Sequence, residues 1–135
     1  MVEVVTLGEA MLRYSDEFES QLETVGGAEL NVAVALAQLG RKTRWLSAIG
    51  QDDAGKRILY ETERLGIDTS HVIQDKRNPT GKYRVDQNIN SIQYFRTDSA
   101  FSKIDSTSFE QSLHGAIRGT HWLHLTGITP LLGEG

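Results

Sequence analysis

The chain has 135 residues and no cysteine, a formal net charge of −4, and 39% hydrophobic and 24% charged residues. This composition is typical of a globular domain or part of one, and it excludes disulfides and thiolate-based metal sites. The basic residues are scattered, and neither a signal-peptide pattern nor an apolar run of ~20 residues is present. We therefore expect a cytoplasmic protein that binds neither nucleic acid nor a membrane.

The first half of the chain alternates between strand-like and helix-like segments. Residues 2–7 are β-branched and predict a buried strand, whereas residues 12–24 are polar and mixed, either a hairpin or a loop. Residues 28–39 predict a helix with apolar side chains on nearly every side, so we expect it to be buried between layers. Residues 44–49 predict the next strand and residues 54–65 an amphipathic helix. Strands and helices in this order indicate a parallel α/β sheet.

The second half begins with a different pattern. Two strand-like runs, 80–86 and 91–97, are separated by a polar, Asn-rich turn and predict an antiparallel hairpin. The capping-box spacing that starts at Thr107 predicts a helix to about residue 117. Residues 121–128 predict a further core strand.

Residues 50–57 nearly match a phosphate-binding P-loop, with two glycines and a lysine at the required spacing. However, Arg57 replaces the hydroxyl residue that binds Mg²⁺ in such loops. Asp52 and Asp53 would also place carboxylates where the loop has to hold phosphates. The better interpretation is the acidic start of a helix.

Two histidines near the end of the chain, His121 and His124, suggest a metal site at first sight. On a strand, residues three positions apart point to opposite faces, so the pair cannot share one ion. No carboxylate cluster accompanies them in the sequence, and we predict no metal site.

The glycine pair Gly26-Gly27 directly precedes the apolar helix. One interpretation is a tight turn into a buried helix. The other is that a polar ligand needs close approach to the backbone, which glycine permits, at a helix N-terminus with free N–H groups. Asn31, one turn into the helix, favours the second interpretation, since a buried amide is costly unless it is hydrogen-bonded.

Several spaced motifs together resemble the ribokinase-like (PfkB) carbohydrate kinases. They are Gly26-Gly27-Ala28-x-x-Asn31-x-Ala33, Leu39-Gly40, Gly50-x-Asp52-x-x-Gly55 and Pro79-Thr80-Gly81. Two more motifs, Tyr94-Phe95-Arg96-x-x-Ser99-Ala100 and His124-Leu125-Thr126-Gly127-Ile128, are most similar to the 2-keto-3-deoxygluconate kinase branch. The resemblance covers essentially the whole chain, as the N-terminal part of one kinase domain about twice as long.

The resemblance implies an α/β fold, a partial three-layer α/β/α sandwich with a small β-lid over the sugar site. Residues 80–98 and 9–24 would supply the lid strands, although the second stretch is shorter than this branch usually shows. In the family's arrangement Gly27 and Asn31 contact sugar hydroxyls, and Tyr83 and Tyr94 reach the substrate from the lid. Arg96 would pair with the substrate carboxylate, which suits a guanidinium fork. From the residues alone, Arg96 is also explained as a solvated arginine on an exposed hairpin, and the tyrosines as lid packing.

The function implied by the resemblance is transfer of the ATP γ-phosphate, assisted by Mg²⁺, to a sugar acid such as 2-keto-3-deoxygluconate. The family's catalytic Gly-Ala-Gly-Asp segment is absent from these residues, as is its nucleotide pocket. We therefore expect no catalytic residue and little activity in this chain alone. The alternatives are a kinase of a neutral sugar (a fructokinase or ribokinase relative), and a binding or assembly module that forms homo-oligomers through the lid hairpin. A piece that does not fold alone is the remaining alternative.

Overall fold

The computed structural model describes residues 1–15, 24–86 and 88–132. The strands are β1 (Val4–Leu7), β2 (Met11–Ser15), β3 (Thr24–Gly26), β4 (Thr43–Leu46), β5 (Ala48–Gly50), β6 (Ile73–Asp75), β7 (Lys82–Asp86), β8 (Ser91–Phe95) and β9 (Trp122–His124). The helices are α1 (Ala28–Gln38), α2 (Asp53–Arg64) and α3 (Ser106–Ile117), followed by a 3₁₀ turn at Thr129–Leu131.

A parallel sheet in the order β4-β1-β9 lies at the centre of the described part of the chain. Thr6 of β1 is opposite Trp45 on one side and His124 on the other. The strand predicted over 44–49 is interrupted at Ser47: β4 pairs with β1, whereas β5 pairs in parallel with β6. The core strand predicted over 121–128 is shorter than expected, because it ends at His124, and it is not buried, since Trp122 is 72% exposed.

Helices cover both faces of the central sheet. On one face, Leu30 of α1 and Ile58 of α2 pack with the fully buried Trp45. On the other, Ala116 of α3 packs with Val5 of β1. This arrangement confirms the predicted three-layer α/β/α fold class.

The predicted burial of α1 on all sides is wrong. A stripe along the helix is exposed, and it consists of Ala28, Asn31, Ala35 and Gln38. The spacing of three, four and three residues marks one helical face. Alanine is apolar but small, so its presence on this face did not mean burial. The start of α3 also differs from the prediction: Asp105, not Thr107, caps the helix by accepting a hydrogen bond from the Ser108 N–H at 2.9 Å.

A second, four-stranded sheet in the order β3-β2-β7-β8 lies beside the central one, and we call it the lid sheet. The predicted hairpin is present as β7 and β8, with Tyr83 opposite Tyr94. β2 runs antiparallel to β3 and parallel to β7. The residues between β2 and β3, which belong to the segment predicted as hairpin or loop, lie outside the described ranges.

Candidate functional site

Close packing of the chain against itself explains the second glycine of the pair. A Cβ atom on Gly27 would lie 2.5 Å from the Glu9 carbonyl oxygen and 3.1 Å from the Ala10 Cα. The φ angle of Gly27 is 169°, so its backbone is extended and the requirement is one of space. Without a side chain, Gly27 also leaves the first-turn N–H groups of α1 without a side-chain cap.

The lid tyrosine Tyr83 reaches the other glycine. Its hydroxyl oxygen would be 2.9 Å from a Cβ atom on Gly26. Tyr83 also packs against Tyr94, with ring centroids 6.0 Å apart, and the Tyr94 ring is half exposed. The lid sheet therefore places Tyr83 against Gly26, and Tyr94 at the surface beside Tyr83.

Arg96 follows directly after β8 and is held by a buried carboxylate. Its Nε donates to Glu9 Oε2 at 2.8 Å, and its Nη2 lies 2.7 Å from the same oxygen. The Glu9 side chain is 2% exposed and that of Arg96 is 21% exposed. The Arg96 guanidinium carbon also lies 5.7 Å from the Tyr94 ring centroid, a cation–π distance. The alternative of a solvated arginine on an exposed hairpin is therefore wrong.

Glu9 is a site residue that the sequence reasoning did not single out. Its second oxygen, Oε1, accepts a hydrogen bond from the Ser99 hydroxyl at 2.6 Å and packs against Gly81. The available signal was its position: Glu9 comes right after the first strand, and ligands of open α/β sheets bind beyond the carboxyl ends of the strands. The pairing with Arg96 had no local signal, because 87 positions separate the two residues.

Asn31 does not share the surroundings of the other predicted site residues. It lies on the exposed face of α1, in a surface groove between α1 and α2 that Arg57, Glu61 and Leu65 also line. The argument from a buried amide is therefore wrong for this structure. Gly27 packs against the Glu9 backbone, and Arg96 pairs with the Glu9 carboxylate. Tyr94 contacts Arg96 and Tyr83 contacts Tyr94, whereas Asn31 is one helical turn from Gly27.

A second buried carboxylate, Glu29, fixes the start of α1 to the segment after β9. Its Oε1 accepts hydrogen bonds from the Thr126 hydroxyl at 2.6 Å, the Thr126 N–H at 3.1 Å and the Thr129 hydroxyl at 2.5 Å. Its side chain packs against Gly8. Burial raises the pKa of the Glu29 carboxyl, but the hydrogen bonds from Thr126 and Thr129 outweigh this effect and leave the pKa below its ordinary value. Glu29 is therefore ionised at neutral pH.

In the P-loop-like segment, residues 50–57, the Asp52 carboxylate accepts the hydrogen bonds of nearby N–H and hydroxyl groups. Asp52 caps α2 by accepting from the Gly55 N–H at 2.8 Å, and it accepts from the Thr80 N–H at 2.9 Å and the Thr80 hydroxyl at 2.6 Å. Burial raises the Asp52 pKa, but the bonds from Thr80 and Gly55 lower it further than burial raises it. An ionised carboxylate at this point does not suit phosphate binding. The acidic helix start predicted from the sequence is what the structure shows, and it anchors the lid sheet just before β7.

Within the described ranges no three side chains of the metal-ligating types come close enough to hold an ion. In the same ranges no helix is both long and apolar enough to cross a membrane.

Comparison with known proteins identifies a family for this chain. Residues 2–127 match the profile of the pfkB family carbohydrate kinases. A 2-dehydro-3-deoxygluconokinase of Bacillus subtilis is 34% identical over 97% of this chain, which corresponds to 43% of the relative. A fructokinase of Salmonella typhimurium is 30% identical over 93% of the chain and 40% of the relative. The chain thus spans less than half the length of the curated relatives it matches.

Solved structures give the same result for the fold. A PfkB protein from Polaromonas superposes with a TM-score of 0.85 at 30% identity, covering 99% of this chain and 48% of that one. A 2-dehydro-3-deoxygluconokinase from Thermotoga maritima has a TM-score of 0.83 at 29% identity, covering 99% and 44%. A fructokinase from Xylella fastidiosa, solved with bound ATP, shares the fold with a TM-score of 0.73 at 22% identity, covering 84% and 36%.

Proposed function

The chain belongs to the PfkB family of carbohydrate kinases, and from this premise we propose that it carries the sugar-binding part of a kinase acting on a sugar acid such as 2-keto-3-deoxygluconate. The observation that supports this most directly is the position of Arg96. Its half-buried guanidinium lies against the Tyr94 ring and is paired with Glu9, whose backbone packs against Gly27 at the start of a helix.

In this proposal each residue of the cluster has a chemical role. Arg96 binds the carboxylate of the sugar acid, for which its planar fork is suited. Gly27 lets sugar hydroxyls approach the free N–H groups at the start of α1. Tyr83 and Tyr94 close the site from the lid sheet with ring faces and hydroxyl groups. The proposed role has least support for Asn31, because this residue is exposed on α1. It would have to bind a sugar hydroxyl from a position one helical turn beyond Gly27.

The complete reaction we propose is transfer of the ATP γ-phosphate to a hydroxyl of the sugar acid in a cytoplasmic enzyme that uses ATP and Mg²⁺. The described residues do not fit these two groups: Asp52 occupies the P-loop-like segment, and no cluster of metal-ligating side chains is formed in those ranges. The Gly-Ala-Gly-Asp segment of the family does not occur in the 135 residues. We therefore expect this chain to bind sugar and to show little phosphoryl transfer by itself.

The test is calorimetric titration of the purified chain with 2-keto-3-deoxygluconate, after circular dichroism has confirmed folding. Arg96→Lys keeps the positive charge but removes the planar guanidinium group, and Arg96→Ala removes both. Hydrogen bonds to charged groups contribute about 1.5–3 kcal/mol each, so we expect the Ala variant to weaken binding roughly 10- to 100-fold. The Lys variant should fall between wild type and Ala. Arg118→Ala, at an exposed arginine, is the matched control. A folded wild-type chain that does not bind the acid would contradict the proposal.

A neutral sugar is the second candidate substrate, and one contact favours it. Glu9 already neutralises Arg96 at 2.7 Å, so the site holds a balanced ion pair before any ligand arrives. A fructokinase also matches most of the chain. Titration with fructose distinguishes the two candidates: a neutral substrate should bind wild type and Arg96→Lys with similar affinity.

An assembly role through the lid hairpin is the third candidate. Ile92, Tyr94 and Phe95 on β8 are each more than half exposed. β8 is also the outer strand of the lid sheet in the described part of the chain, so its free edge is open to pairing with another strand. We propose that a second copy of the chain is the partner.

A further inference from the structure

Two arginines of the described chain are held by carboxylates in nearly the same way. Arg44 donates from Nε to Asp68 Oδ2 at 2.7 Å, with Nη2 2.7 Å from the same oxygen. Arg96 does the same with Glu9 Oε2 at 2.8 and 2.7 Å. In both cases one carboxylate oxygen lies along the Nε edge of the guanidinium.

The two arginines differ at the remaining nitrogen. Nη1 of Arg44 donates to the Ala116 carbonyl oxygen at 2.6 Å, so this guanidinium is bonded on both sides. Nη1 of Arg96 has no hydrogen-bonding partner in the described part of the chain. A guanidinium has five N–H donors, and a partly buried one with two of them in use on one edge has the other edge available.

The carboxylate that holds Arg96 is itself fixed on both oxygens. Oε2 accepts a hydrogen bond from Arg96 Nε and lies 2.7 Å from Arg96 Nη2, and Oε1 accepts a hydrogen bond from the Ser99 hydroxyl at 2.6 Å. With 2% of its side chain exposed and Gly81 packed against it, Glu9 has little freedom to move or to exchange Arg96 for water. The orientation of the guanidinium is therefore set by a buried group that does not itself face the solvent.

We infer that Glu9 is a positioning residue for acid recognition: it holds Arg96 by the Nε edge and thereby presents the Nη1–Nη2 edge to the carboxylate of the ligand. This inference rests on the proposed function. It explains how Arg96, although paired with Glu9, still binds an acid. The Glu9 carboxylate and the ligand carboxylate contact different edges of the same guanidinium group. It also predicts that the length of the Glu9 side chain matters more than its charge.

The first test uses wild-type protein and no variant. Nitrogen-15 NMR of the purified chain should show an Arg96 Nε–H that exchanges slowly with water, as that of Arg44 should, whereas the Nε–H of the exposed Arg118 exchanges fast. Addition of 2-keto-3-deoxygluconate should shift the Arg96 Nη signals and leave its Nε–H protected. An Nε–H that is unprotected before titration, or that loses protection on binding, would overturn the inference.

The second test separates length from charge with two variants. Glu9→Asp keeps the charge but is one methylene too short to reach Arg96, so we expect the dissociation constant for the acid to rise tenfold or more. Glu9→Gln keeps the length and an acceptor oxygen, so its affinity should stay within about threefold of wild type. The Arg44 Nε–H, unchanged in both variants, and Glu110→Asp on the exposed surface of α3 are the controls. An unaffected Asp variant, or a Gln variant as weak as Asp, would overturn the positioning role while leaving acid binding established.

Failure of the proposed function gives a different result. If the Arg96 Nε–H is protected but wild type binds fructose and not the acid, or binds neither, acid recognition is wrong and the role of Glu9 in it falls as well. The ligand-free NMR signal distinguishes this outcome from a failure of the Glu9 contact itself.

Discussion

A single methyl group at Gly27 is expected to disturb the site. The added Cβ would meet backbone atoms of Glu9 and Ala10, which cannot move aside as the end of a side chain can. Overpacking of this kind costs about 1–3 kcal/mol, so Gly27→Ala should lower the free energy of unfolding by that amount. Gly127→Ala is the control, because nothing lies within 4 Å of its Cβ position. Urea unfolding of both variants measures the difference, and equal midpoints would contradict the expectation.

Glu29 should make the stability of the protein depend on acid pH. Its folded-state pKa is lowered from the ordinary 4.5, so its stabilisation is complete above pH 4.5 and is lost as the pH falls through the lowered value. Glu29→Gln removes the charge that the Thr126 and Thr129 donors stabilise, and should cost about 1–3 kcal/mol at pH 7. As the pH falls from 7 to below the lowered pKa of Glu29, the variant should lose less stability than wild type.

Thermal or urea unfolding across this pH range measures the Glu29 effect. Glu110→Gln, at an exposed position of α3, is the control and should follow the wild-type curve. Parallel curves for wild type and Glu29→Gln would show that the Thr126 and Thr129 contacts do not stabilise the ionised form.

Among the structural elements, the start of α2 and the segment before the lid hairpin share one residue, Asp52, so one substitution should destabilise both. Asp52 and Asp105 both cap a helix, but Asp52 also accepts two bonds from Thr80. Loss of a cap costs about 1 kcal/mol, and each further hydrogen bond about 0.5–1.5 kcal/mol. Asp52→Ala should therefore destabilise the protein by about 2–4 kcal/mol and Asp105→Ala by about 1 kcal/mol. Urea unfolding of the two variants checks this, and similar losses would mean that Thr80 contributes nothing.

The elements that were predicted well are those with a local signal. The amphipathic α2 and the hairpin of β7 and β8 have a clear period and turn residues, and both lie within a residue or two of the expected bounds. β6 has three residues and exists because β5 pairs with it, which no local pattern encodes. The exposed face of α1 was missed for the same reason, since neighbouring layers decide which alanines are covered.

For the site, the motifs predicted the family, and the resemblance implied that Gly27, Tyr83, Tyr94 and Arg96 contact the substrate, which stays a prediction. They did not predict Glu9, whose role depends on a contact between residues far apart in sequence. A charged pair of this kind has no periodicity, and only the folded chain shows which carboxylate faces which guanidinium.

We expect two copies of the whole molecule to form concentration-dependent dimers through β8. Ile92 is 53% exposed on this outer strand of the described lid sheet. A lysine on an edge strand opposes pairing between copies, so Ile92→Lys should shift the protein to monomer. Leu39→Lys, at an apolar residue that is 77% exposed beyond the end of α1, is the control. Sedimentation velocity over a range of concentrations measures the size, and identical behaviour of the two variants would exclude this interface.

The parallel pairing of β2 with β7 has a consequence for the order of folding. Leu12 and Lys82 are partners although about 70 positions separate them along the chain. Closing so long a loop costs entropy before any contact repays it, whereas α1 directly precedes β4, and Val4 of β1 pairs with Thr43 of β4 over a shorter loop. The pair of β1 and β4 should therefore form before β2 meets β7. Glu9 and Arg96 are separated by 87 positions, so the surface that we propose to bind the acid should form only after the pair of β1 and β4.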